Sequence, residues 1–204
     1  SKQTLTNFNK TKKVAAAAVE STRRAWPMVA RKAGMKPDAF QWQTTDFSAR
    51  DNVVVRGDVD AATYFHDSAV SLFARVKQEE LSVLKYADAG VNLYGNAILA
   101  SSNLVAQNPK VVEAFLRATN RAIVETLANP GPSIAAVRQR EPILVEKVEL
   151  DRWGITAQYV AAPDTRGHGL GDIRKLMLEQ QVDEVVDVFG LKVKPSADAI
   201  FNGS

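Results

Sequence analysis

The chain has 204 residues, 46% hydrophobic and 24% charged, enough for one large domain or two small lobes with a sizeable core. Its formal charge of +3 is weak and its longest basic cluster is Lys10–Lys13, so it has no phosphate-tracking surface and no nucleic-acid partner is expected. The absence of cysteine excludes disulfides, thiolate metal sites and a cysteine nucleophile.

Ser1 to Lys10 is a polar lead-in. Val14 to Val19 is a short apolar run that suits a buried strand. Glu20, Ser21 and Thr22 follow as capping residues. A helix with apolar positions Ala25, Met28, Val29 and Ala33 then runs to Gly34. Pro27 belongs in its first two turns, because deeper in a helix it loses a hydrogen bond and clashes with the preceding turn. Phe40, Trp42 and Thr44 alternate as a second strand. Ser48 and Asp51 have the spacing of a capping box for a short helix that Gly57 closes.

Val59 to Phe65 is the third expected strand, followed by a helix carrying Ala69, Leu72, Phe73 and Val76. Leu81–Tyr86 and Leu93–Ser101 are the fourth and fifth. Strands alternating with helices at this pitch predict an α/β fold of parallel units with right-handed crossovers. Beyond residue 90 the chain turns helical. Asn108–Pro109 opens a long helix, and Pro132–Gln139, Leu144–Leu150 and Arg152–Val160 follow. A last helix from about Ile173 to Phe189 ends at Gly190. No stretch approaches the roughly 18 apolar residues of a membrane span.

Three stretches carry a resemblance: KKVAAAAVESTRRAWPMVARKAG, ARDNVVVRGDVDAATYF and YGNAILASSNLVAQNPKVVEAFLRATNRAI. They resemble the substrate-binding proteins of ABC importers in the sulfonate, nitrate and thiamine-pyrimidine group, and the tail from Gly169 fits that family's C-terminal segment. The resemblance implies a periplasmic-binding-protein-like fold, with one complete βαβ lobe (the second lobe, 1–89) and the crossover strand and helical part of the first lobe (90–204). Family members normally begin with a signal peptide and a further β/α segment, so the expectation is a chain truncated at its N-terminus. The implied function is capture of a small planar or anionic solute in an interlobe cleft and delivery to a membrane permease. No catalysis, cofactor or metal is implied, and the place is periplasmic or extracellular. The alternative is an enzyme or ligand-sensing domain of the thiamine-pyrimidine-precursor type on the same fold. The cysteine-rich iron-binding motif of such enzymes cannot exist here.

Ligands of open α/β sheets sit at the carboxyl ends of strands, which here selects Glu20, Ser21, Thr22, Tyr64, Phe65, Tyr94 and Asn96. Ser21 and Thr22, with the helix N–H groups, either hold an anion or carbonyl or are plain caps. Tyr64 and Phe65 either stack on a planar ring or complete the core. Tyr94 and Asn96 either hydrogen-bond solute or mark a kink at Gly95. Glu20 suits a cationic or N–H-rich ligand or else lies on the surface. His66 reads as structural or capping. His168, among the glycines of Gly167–Gly171, has no partner nearby in sequence. Apolar positions Ala97, Leu99, Val112, Phe115 and Ile123 would be bare without the missing segment, which leads to the expectation of a homodimer through the 90–204 half.

Overall fold

The structure, a computed structural model, describes residues 10–161 and 169–201. The lead-in before Lys10, and Gly167 and His168, lie outside the described residues. By internal contacts the chain divides into two compact units. One comprises the chain up to Leu93 together with Arg174 onward, and the other runs from Tyr94 to Ile173. The chain order expected the C-terminal helix with the 90–204 half, whereas it belongs by contact to the first unit.

The first unit is built on a three-stranded parallel sheet in the order β2-β1-β3, with β1 at Lys13–Ala16, β2 at Gln41–Thr44 and β3 at Ala61–Ala62. Mixed α/β architecture with parallel strands is therefore the fold, as the alternation of patterns implied. Val14, Ala15 and Ala16 are buried on the central strand, and their side chains alternate between two faces. Val14 enters a cluster with Trp26, Met28, Val29 and Ala30 of helix α1 (Ser21–Ala33), closed by Phe40 and Val91. Ala15 enters a second cluster with Val59 and with Val53 of helix α2 (Arg50–Val55). Trp26 fills the centre of the larger cluster. It packs 4.8 Å from Phe40 and donates its indole N–H to Pro37 O at 2.9 Å.

Three local expectations give way to specific bonds. β1 stops at Ala16 instead of Val19 because Ala17 and Glu20 close a turn, which leaves Val19 71% exposed. The capping box is not used. α2 starts at Arg50 behind Ala49, which a turn from Asp46 already holds. β3 is two residues long, although Asp60 N–H and Thr63 N–H still bond to β1 at 3.0 Å on either side of it. At Gly34, φ is +67°, and the N–H groups of Gly34 and Met35 return to Arg31 and Ala30. A Cβ would be strained in that conformation.

Leu81–Tyr86 is not a strand; its Leu84 and Tyr86 pack onto the α1 cluster instead of pairing with the sheet. Leu93–Ser101 likewise carries no ladder. The short helix α3 (Val70–Phe73) follows a single turn at Asp67–Ala69. His66 stands at the cap position of that turn, but its side chain makes no capping bond. Helix α8 (Lys175–Phe189) sets Val185 and Val188 against the α1 cluster, and Arg31–Asp187 and Lys32–Glu184 pair across the α1–α8 seam at 2.5 and 2.9 Å. The first pair is exposed and the second half-buried, and surface pairs of this kind contribute little. A short α9 (Ala197–Ile200) ends the described chain.

The second unit is a run of helices: α4 (Ser102–Gln107), α5 (Pro109–Ala128), α6 (Pro130–Arg140) and α7 (Glu146–Val160). α4 was not expected; Ser101 caps it by accepting from Leu104 N–H at 3.2 Å. α7 is one helix where two were expected, with Lys147–Asp151 and Arg152–Glu149 pairs bridging the supposed break. In the second unit Ile134 and Thr126 are the buried residues among those described, whereas Leu99, Val111, Phe115, Leu116, Val124 and Ile143 are exposed. Apolar area left in water on this scale contributes nothing to folding.

Asp60 supplies a checkable contact at the amino end of the sheet. One of its oxygens accepts from both Lys12 N–H at 2.9 Å and Lys13 N–H at 2.8 Å, which holds its carboxyl below the ordinary value of 3.8. A depressed carboxylate stabilises the fold above its unfolded value and loses that contribution as pH falls through the folded one. Asp60→Asn should therefore cost roughly 0.5–1 kcal/mol near neutral pH, discounted for solvent screening. In thermal melts the gap between parent and variant should narrow as the pH drops below 3.8. A gap constant down to about pH 2 would contradict this reading.

Candidate functional site

Strand order 2-1-3 means that the chain leaves β1 in one direction through α1 and crosses to its other side through α2. The crevice outside the carboxyl ends of β1 and β3 is thus the topological switch point. Three chain segments meet there: Ala17–Thr22 after β1, Thr45–Asp51 after β2 and Thr63–His66 after β3.

A buried ion pair joins them. Arg50 Nη1 donates to Glu20 Oε1 at 2.7 Å, with Arg50 4% and Glu20 3% exposed. The other Glu20 oxygen accepts from Thr63 Oγ1 at 2.6 Å and from Ala17 N–H at 3.3 Å. One carboxylate therefore ties the ends of β1 and β3 to the start of α2. The arrangement revises both readings of Glu20. It is not on the surface, and its oxygens are already committed to protein donors. A buried pair gains little net energy over apolar side chains, but loss of one partner strands the other's charge.

The guanidinium of Arg50 also lies 3.9 Å from the centroid of the Tyr64 ring and 5.2 Å from that of Phe47. Tyr64 donates its hydroxyl to Asp51 Oδ1 at 2.7 Å, and burial together with the Asp51 carboxylate pushes its phenol pKa upward. Tyr64 is half-buried and Phe65 is exposed beside it. Tyr86 donates to the Thr22 carbonyl at 2.9 Å, and burial and the Glu20 charge raise its pKa. Arg50 Nε and Thr22 Oγ1 are buried with no hydrogen-bond partner, unusual for polar atoms away from solvent.

Ser21 and Thr22 are not caps. Glu20 occupies the cap position, and because its carboxylate is turned to Arg50 it makes no side-chain bond to the helix start. Ser21 is exposed and Thr22 half-buried at the first turn of α1, which contains no acidic residue. Arg23 reaches the carboxyl end of β2, donating to Thr44 Oγ1 at 3.1 Å and lying 5.2 Å from the Trp42 ring centroid. Of the residues expected at the site, Glu20, Ser21, Thr22, Tyr64 and Phe65 stand together at these strand ends. Tyr94 and Asn96 belong to the second unit, where both are exposed. Sequence reasoning missed Arg50, Asp51 as a partner of Tyr64, and Thr63. A lone arginine one turn ahead of Val53 and just past a strand end was the available signal. Among the described residues, no group of three His, Cys, Asp or Glu side chains is placed to hold a metal ion, and no helix is long and apolar enough to cross a membrane. Burial lowers the His66 pKa, with the Lys85 charge acting the same way.

Parallel β/α units whose strand ends gather a buried ion pair and an aromatic ring define an α/β protein with a candidate ligand site at its switch point. The chain belongs to the NMT1/THI5-like family, whose model matches residues 9–133. That is the substrate-binding group to which the sequence motifs pointed. A relative, the riboflavin-binding protein RibY of Chloroflexus aurantiacus, is 49% identical over 51 residues, which are 25% of this chain and 14% of that protein. No solved structure matches the chain.

The pair can be tested without a ligand. Glu20→Ala or Arg50→Ala alone should destabilise the protein by about 3–5 kcal/mol, whereas Glu20→Gln with Arg50→Met should recover most of that loss. Denaturant unfolding would measure it. Single variants within about 0.5 kcal/mol of the parent would mean that the pair is dispensable.

Proposed function

We propose that the whole protein is the solute receptor of an ABC-type importer, binding a small planar or anionic solute and passing it to a membrane permease without chemical change. The observation that carries this reading is the gathering of Tyr64, Phe65 and the uncapped first turn of α1 at the switch point of a parallel sheet. The positive end of the α1 dipole, with no acidic residue in its first turn, favours an anionic or carbonyl-bearing solute there. A half-buried tyrosine beside an exposed phenylalanine favours a flat ring. Membership of the NMT1/THI5-like family supports a binding role, and the name of the RibY relative makes riboflavin the first solute to try. Delivery to a permease places the protein, in this reading, in the periplasm or outside the cell.

In the full-length protein, riboflavin should raise the melting temperature and be recovered unaltered. Tyr64→Ala should weaken its binding by about 1 kcal/mol or more while the fold survives, because stacking area is lost. Turnover of the solute would replace this reading with the enzyme alternative, and unchanged affinity in Tyr64→Ala would remove Tyr64 from the site.

For this chain on its own we propose a second copy as partner, through the half from residue 90 onward. The reason is the apolar surface that α5 presents at Val111, Phe115, Leu116 and Val124. Sedimentation should give the mass of two chains at micromolar concentration. The mass of one chain at every concentration would overturn the dimer.

A further inference from the structure

We infer that Arg50 is a positioning residue, which fixes Tyr64 as a one-sided stacking surface for the planar solute; this rests on the binding function proposed above. Three constraints act on the Tyr64 ring. Its hydroxyl is held by Asp51 at 2.7 Å, the residue next to Arg50 in the first turn of α2. One face has the Arg50 guanidinium 3.9 Å from its centroid. That guanidinium cannot drift, since it is 4% exposed and anchored on Glu20 at 2.7 Å.

The chain of support runs from the end of β1 through Glu20 to Arg50, and from there to the ring at the end of β3. With one face taken by the cation, the exposed remainder of a half-buried ring is what a solute can meet. A ring already held in place loses little conformational freedom when it stacks, so more of the contact appears as affinity. Arginine suits the task because its planar guanidinium can hold a carboxylate and lie against an aromatic face at once. A lysine ammonium keeps the charge without the planar stacking surface.

The experiment uses full-length protein with riboflavin as the probe. Two changes are compared, Arg50→Lys and the charge-neutral pair Glu20→Gln with Arg50→Met, so that a fold lost in one leaves the other to report. Each is made with Tyr64 intact and with Tyr64→Leu. If Arg50 acts through Tyr64, each change should lower affinity about tenfold when Tyr64 is present and less than about twofold when it is leucine. Equal losses in both backgrounds indicate a structural role and overturn the inference.

A second readout needs no ligand. In spectra of 13C-labelled tyrosine, with the Tyr64 signal assigned by its disappearance in Tyr64→Leu, the ring should be ordered in the parent and visibly more mobile in both Arg50 variants. A ring equally ordered in all of them overturns the inference. A ring that loosens in a protein that never binds riboflavin or another flat solute supports Arg50 as the residue holding Tyr64, and it is the proposed function that then falls.

Discussion

The first unit depends on where the Glu20 carboxylate goes. It stands at the cap position of α1 and could have satisfied the N–H groups of the first helical turn. It turns instead into the protein, where Arg50, Thr63 and Ala17 N–H converge on its two oxygens. That choice ends β1 early, leaves the start of α1 without a side-chain cap, and fastens the segments after all three strands to one another. A charge buried this deeply is tolerated only because its lone pairs are met from several elements at once.

The same choice shapes the carboxyl end of the sheet, where the candidate site lies. A carboxylate facing the crevice would repel anions and compete with them for the helix N–H groups. With Glu20 neutralised by Arg50, the first turn of α1 presents Ser21 and its backbone N–H groups with no acidic residue of its own, while Arg23 turns to Thr44 at the end of β2. Arg50 then serves two neighbours, giving Glu20 a hydrogen bond and Tyr64 a cation against its ring. The stability of the strand ends and the preparation of an aromatic surface are thereby linked through one side chain.

The two units illustrate how apolar residues depend on what covers them. In the first, Val14 and Ala15 sit between α1 on one face and α2 on the other, and the resulting clusters are nearly dry. In the second, α5 has one face that meets α6, where Thr126 bonds Ser133 at 2.7 Å, and another on which Val111, Phe115 and Val124 remain in water. Helical periodicity identifies both stripes equally well. It carries no information about which stripe finds a neighbour.

What the sequence determined by itself was the local register: the apolar run at Val14, the α1 stripe closed by Gly34, the strand at Trp42, the Asn108–Pro109 helix start and the stop at Gly190. These follow from side-chain period and backbone restriction, properties of residues a few positions apart. The position of the candidate site was also legible, because parallel strands feeding helices bring such crevices to their carboxyl ends. Tertiary structure alone decided that Leu81–Tyr86 and Leu93–Ser101 carry no ladder, since a strand exists only when another strand lies alongside it. It alone decided that Glu20 is buried and spoken for. The partner that neutralises it is 30 residues away at the head of another helix, and no period in the sequence relates the two.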